Sequence, residues 1–183
     1  TNRVCEGELR QKGSRGDFCL SETEYLSIIE AKTAELTACS CELGAHYAGG
    51  DEACVARCAA YGRDLGIAFQ IADDILDLVG DESQTGKSLG TDLAQQKPTL
   101  PVIRLMALLD ETQRQQLVQL LENGPEHRRE LLRLLKRYDA IRYATDRAKQ
   151  HAEQARRRLD GLPLNPAVES LRRLTHFVVS RSA

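Results

Sequence analysis

No apolar run in this 183-residue chain approaches the roughly 20 residues that a bilayer-spanning helix needs. The opening "TNRVCEGELRQ" has none of the features of a signal peptide, and the two absences together predict a cytoplasmic protein. Alternating runs of β-branched residues are missing as well, which excludes a sheet as the main architecture. Neither sign of charge dominates: Lys and Arg number 25 against 27 Asp and Glu, for a formal net charge of −2. Such a balance gives no global attraction to nucleic acid or to an anionic membrane. Aromatic residues make up 4% of the chain, and none interleaves the arginine-rich stretches "RRELLRLLKR" and "RAKQHAEQARRRL". Those stretches keep leucines or alanines at helical spacing and read as solvated faces of amphipathic helices, so no nucleic-acid partner is expected. The six cysteines form no C-x-x-C pair and stand near no histidine at finger spacing, which speaks against zinc. Cys54 and Cys58, four apart on a helical segment, read as small buried thiols in a reducing compartment.

What the chain does contain is helical periodicity. Ser21 with Glu24 three residues on forms a capping-box pattern, and Leu20 and Tyr25 are placed as a hydrophobic staple. The apolar positions Tyr25, Ile29, Leu36, Cys39, Leu43 and Tyr47 predict one long helix ending at Gly49-Gly50. A second helix is predicted over 51–80, and further ones over 99–109, 111–123, 126–137, 139–159 and 166–181. Asn123-Gly124-Pro125 and Asp160-Gly161 punctuate them, and Asn165-Pro166 offers an N-cap followed by proline at the first helical position. The class is all-α, with no linker that would divide it. The chain opens at Thr1 without an initiator methionine, which predicts a piece of a longer protein.

The stretch "QIADDILDLVGDESQTGKSLGTDLAQQKPTLP", from Gln70 to Pro101, holds carboxylates ahead of a glycine-flanked lysine. A nucleotide loop fails on the count: five residues instead of four separate Gly80 from Gly86, two of them acidic, and the segment before is helical. On a helical wheel at about 100° per residue, Gly66, Gln70, Asp73, Asp74, Asp77 and Asp81 fall in one stripe. Apolar residues cover most of the remaining circumference, so the helix is buried and its acidic stripe should face a polar cavity or water. Lys32 interrupts an apolar seam between Ile29 and Leu36, where a lysine either snorkels out or faces an anion. Three carboxylates, a glutamine and the lysines Lys32, Lys87 and Lys97 suit a magnesium-bridged diphosphate, because Mg²⁺ prefers carboxylate and phosphate oxygens.

"FQIADDILD", "TGKSLGTDL" and "QKPTLP" closely resemble the second aspartate-rich region of trans-polyprenyl diphosphate synthases. "IIEAKTAEL" resembles the K-T motif of that family and "GELRQ" its G-E-x-x-Q helix end. The resemblance implies an all-α isoprenoid-synthase helical bundle, with residues 1–183 as the C-terminal portion of a single synthase domain. It implies a transferase that ionises an allylic prenyl diphosphate with Mg²⁺ help. Isopentenyl diphosphate then attacks the cation, and proton loss completes a 1'-4 condensation. Carried over by position, Asp73, Asp74 and Asp77 would hold Mg²⁺, and Lys32, Lys87 and Lys97 would bind the allylic diphosphate. Gln70 and the backbone near Lys32 and Thr33 would sit by the developing cation, and the complete protein would be a homodimer.

Two departures stand out. Gln96 occupies a place where the family usually has glycine, and the family's first aspartate-rich motif with its arginine pair is not among these residues. The 183 residues alone are therefore expected not to elongate prenyl chains. A terpene cyclase of the same fold would carry an N-S-E type metal motif, which the chain lacks. A non-catalytic or half-site partner subunit stays open, and a di-iron bundle would need E-x-x-H pairs that "EHRRE" does not supply.

Overall fold

The structure is a computed structural model that describes residues 1–80, 90–122 and 125–180. Among these, every regular element is helical. Helix α1 covers Asn2–Gly13 and is followed by a turn that leads to Ser21. The capping box forms: the Ser21 hydroxyl accepts from the Glu24 amide at 3.2 Å, and the Ser21 amide donates to the Glu24 carboxylate at 3.0 Å. Leu20 and Tyr25 are buried in one core cluster, as the staple pattern predicts. The helix that starts here is not continuous. It runs as α2, Glu22–Ile29, then as a π-helical turn, Glu30–Ala34, then as α3, Glu35–Tyr47.

Helix α4, Glu52–Val79, is the central rod, and the Asp51 carboxylate caps it by accepting from the Cys54 amide at 2.7 Å. Beyond it come α5, Thr91–Ala94, α6, Leu100–Leu108, and α7, Glu111–Glu122. A 3₁₀ turn, Pro125–His127, leads into α8, Arg128–Arg137, followed by α9, Ala140–Arg158, and α10, Pro166–Ser180. The Asn165 cap is present, its side chain accepting from the Val168 amide at 2.9 Å. Asn123, Gly124 and Arg181 lie outside the described residues.

Helix α4 packs most extensively on α3 and α9. Its partner α9 buries Ala140, Ala144, Ala148, Ala152 and Ala155, a small-residue stripe that allows close approach. Ile29, Ile71, Ile75 and Leu100 fill the core where α2, α4, α6 and α9 meet. A second core forms around Leu105, Leu117, Leu131 and Leu135 from α6, α7 and α8.

One expectation fails on α3. Leu36, Leu43 and Tyr47, which continue the apolar spacing of Tyr25 and Ile29 in the sequence, are 62%, 47% and 83% exposed. The π turn adds one residue to the helical cycle and rotates the following face by about 100°. Ala34 and Ala38 then face the core, and the larger apolar side chains turn outward. Phe69 of α4 and Leu174 and Phe177 of α10 are also exposed. The six cysteines carry no disulfide, and Cys41, Cys54 and Cys58 are half-buried, whereas Cys5, Cys19 and Cys39 are exposed. No described helix is long and apolar enough to cross a membrane.

Candidate diphosphate and metal site

The site begins where α1 meets the π turn. A Cβ added to Gly7 would lie 2.5 Å from the Lys32 backbone nitrogen, so only glycine allows this approach. One turn further along α1, the Gln11 side-chain oxygen accepts from the Lys32 ammonium at 2.6 Å, and Glu8 pairs with it at 3.3 Å. "GELRQ" is thus a device that docks on Lys32. The ammonium is held by α1, because a half-buried lysine takes the nearest acceptors. Behind the turn, a Cβ on Gly66 of α4 would come within 2.6 Å of the Ala34 Cα, which fixes how closely α4 and the π segment pack. A π turn of this kind often marks a functional site, since it breaks the regular ladder and re-aims its side chains. Here it aims the Thr33 hydroxyl at Gln70, whose side-chain oxygen accepts it at 2.7 Å.

Lys32 and Thr33 also line a cavity of about 430 Å³ between the π turn, α4 and α10. Its walls are largely apolar, with Leu36, Leu65, Phe69, Leu174 and Phe177. Such a cavity suits a hydrocarbon tail attached to a polar head.

The acidic stripe does not face water as a unit. Gln70 is buried and Asp74 is 0% exposed, which corrects the expectation that the stripe opens to a cavity along its length. Three donors satisfy the Asp74 carboxylate. Tyr25 donates its hydroxyl to Oδ2 at 2.8 Å, while Gln70 Nε2 at 2.9 Å and Lys97 Nζ at 2.7 Å donate to Oδ1. Asp77 serves α5: one oxygen accepts from the Thr91 hydroxyl at 2.8 Å and from the Thr91 amide, the other from the Asp92 amide at 3.0 Å. Asp73 is half-exposed. Lys87 and Asp81 lie outside the described residues.

Lys97 is the hub. Its ammonium bridges Asp74 and Asp92, the latter at 2.9 Å, with a side chain 9% exposed. Burial alone would lower its pKa, but the Asp74 and Asp92 carboxylates raise it well above the ordinary lysine value. Burial, with Asp74 close by, pushes Asp92 up to about 6, against the opposing pull of Lys97. The Tyr25 phenol is likewise raised, by burial first and then by the Asp74 charge. Just before Lys97, Gln96 adopts a φ of 51°, the left-handed region that favours glycine. That strain explains why glycine suits this position.

Among the described residues no three acidic, histidine or cysteine groups converge closely enough to hold a metal ion unaided. The donor set still fits Mg²⁺, which takes one or two carboxylates, several waters and phosphate oxygens instead of a closed protein cage.

The polyprenyl synthetase family profile matches residues 1–138. The chain belongs to this family. It is 37% identical over 180 residues to the short chain isoprenyl diphosphate synthase of Methanothermobacter thermautotrophicus, covering 98% of this chain and 55% of that one. It is 40% identical to heptaprenyl diphosphate synthase component 2 of Geobacillus stearothermophilus, covering 97% of this chain and 55% of the relative. Among solved structures, the Caulobacter crescentus polyprenyl synthase complexed with calcium and isoprenyl diphosphate superposes with a TM-score of 0.91 at 36% identity. That match covers all of this chain and 56% of the other. The all-α isoprenoid-synthase fold is thereby shown, and the chain spans about half the length of the relatives it matches.

Hydrogen bonds link Thr33, Gln70 and Lys97 through Asp74. The sequence reading treats Tyr25 only as a core residue and gives no role to Asp92, which stands in the quoted "TGKSLGTDL".

Proposed function

We propose that this chain contributes the allylic-diphosphate half of a prenyl diphosphate synthase. The observation that carries the reading is the continuous chain of hydrogen bonds from Thr33 through Gln70 and Asp74 to Lys97 and Asp92. It ties a cationic group suited to phosphate to an amide oxygen suited to a carbocation, beside an apolar cavity suited to a hydrocarbon.

In the reaction, the C1–O bond of an allylic prenyl diphosphate breaks and its electron pair leaves with the diphosphate. Lys32, Lys87 and Lys97 would neutralise that departing charge. Mg²⁺, held by Asp73 and by Asp77, both of which are partly exposed where Asp74 is buried, would supply further neutralisation of the leaving group. The Gln70 amide is locked by Thr33 on one side and Asp74 on the other, so its oxygen is pre-oriented without reorganisation as positive charge develops. The double-bond electron pair of isopentenyl diphosphate forms the new bond from its C4 to C1, the resulting cation loses a C2 proton to the departed diphosphate, and the chain grows by one unit. The complete protein would act in the cytoplasm as a homodimer.

The assay uses radiolabelled isopentenyl diphosphate with geranyl or farnesyl diphosphate and Mg²⁺. These 183 residues alone should bind Mg²⁺ and pyrophosphate cooperatively but incorporate no label, because condensation needs both diphosphates in near-attack geometry. A relative-length chain bearing the same residues should incorporate it. Binding of pyrophosphate that is equal with and without Mg²⁺ would overturn the site.

A further inference from the structure

Both oxygens of Asp74 are occupied, and the carboxylate has no exposed surface. An ion that keeps most of its water cannot reach such a group without breaking one of those bonds. The donors come from three separate stretches, Tyr25 on α2, Gln70 on α4 and Lys97 ahead of α6, so their convergence is a property of the fold. A carboxylate buried at such cost needs a purpose other than holding metal.

We propose that Tyr25 is a positioning residue for diphosphate recognition: by donating its hydroxyl to Asp74 Oδ2, it makes Asp74 the buried counter-ion that aims Lys97, not a magnesium ligand. The inference rests on the diphosphate reading of the site. With Oδ2 satisfied by Tyr25, Asp74 offers Lys97 only Oδ1, which it shares with Gln70. The ammonium therefore stands off far enough to bridge to Asp92 as well. Two of its three N–H groups are used by these carboxylates, which leaves the third for a phosphate oxygen. Remove the phenol oxygen and Oδ2 is left buried without a donor, a costly state. The nearest remedy is for the ammonium to slide inward across both oxygens, away from Asp92 and from the ligand.

The test uses the 183-residue chain with inorganic pyrophosphate in titration calorimetry, with and without Mg²⁺, and ¹H–¹⁵N NMR of the Lys97 ammonium. Tyr25→Phe should weaken pyrophosphate binding about tenfold in both conditions, the loss of one charge-assisted hydrogen bond, and leave the magnesium enhancement intact. Asp73→Asn should abolish the enhancement. Asp74→Asn, which keeps shape and removes charge, serves as the second variant and should behave like Tyr25→Phe. The slowly exchanging Lys97 ammonium signal should be lost in both. A Tyr25→Phe protein with a lower Tm but unchanged affinity would reduce Tyr25 to a structural role and overturn the proposal. So would an Asp74→Asn protein that loses only the magnesium-dependent part of binding. If the unaltered chain binds no pyrophosphate in either condition, the diphosphate reading fails. The positioning claim is then decided by NMR alone: an unchanged Lys97 signal in Tyr25→Phe overturns it.

Discussion

The Thr33 hydroxyl donates to the Gln70 side-chain oxygen at 2.7 Å, joining the π turn to the middle of α4. The two residues are 37 positions apart, and each is aimed by its own element: Thr33 by an extra residue in the helical cycle, Gln70 by its bond to Asp74. Thr33→Val and Gln70→Leu should therefore couple. A double-mutant cycle by urea denaturation is expected to give an interaction of about 1 kcal/mol, and strict additivity would show that the contact is incidental.

The docking of α1 on the π turn depends on Gly7. Gly7→Ala places a methyl against the Lys32 backbone, which cannot swing aside as a side chain can, and should destabilise the fold by about 1–3 kcal/mol. Gly13→Ala, where no heavy atom lies within 4 Å of the added carbon, should instead stabilise by roughly 0.5–1 kcal/mol. Equal effects at the two positions would contradict the packing account.

Gln96 precedes Lys97 with a left-handed backbone, and its carbonyl accepts from the Gly16 amide at 2.9 Å. Relief of the left-handed cost by Gln96→Gly outweighs the extra chain entropy of glycine, for a net gain of about 0.5 kcal/mol. A small rise in Tm with unchanged pyrophosphate affinity is the expected result.

Cys58 should be slow to alkylate. Burial, aided by neighbouring Cys54, pushes its thiol up to about 11, so at pH 8 it is almost wholly protonated. Since the thiolate is the nucleophile, its reaction with iodoacetamide should lag behind an ordinary exposed thiol by on the order of a hundredfold. The lag should shrink as pH rises toward 11, because deprotonation restores the nucleophile. Peptide mass spectrometry over time, with the exposed Cys5, Cys19 and Cys39 as comparison, checks the order.

What the sequence determined by itself is whatever short-range chemistry decides. The Ser21 capping box, the Asn165 cap and the periodicity of α4 and α9 depend on groups within a turn or two of one another, and all could be read in advance. Helical spacing also put Gln70, Asp73, Asp74 and Asp77 on one face of α4, whereas the place of Thr33 and Lys97 beside them came from the family resemblance. Tertiary structure alone decided what each face meets. Lys32 turned to Glu8 and Gln11, and Asp74 closed on Tyr25 and Lys97, because a charge withdrawn from water takes the hydrogen-bonding and ionic partners that packing brings within reach. The exposure of Leu36 and Tyr47 followed from a single inserted residue in the π turn, which a wheel drawn with one period cannot contain.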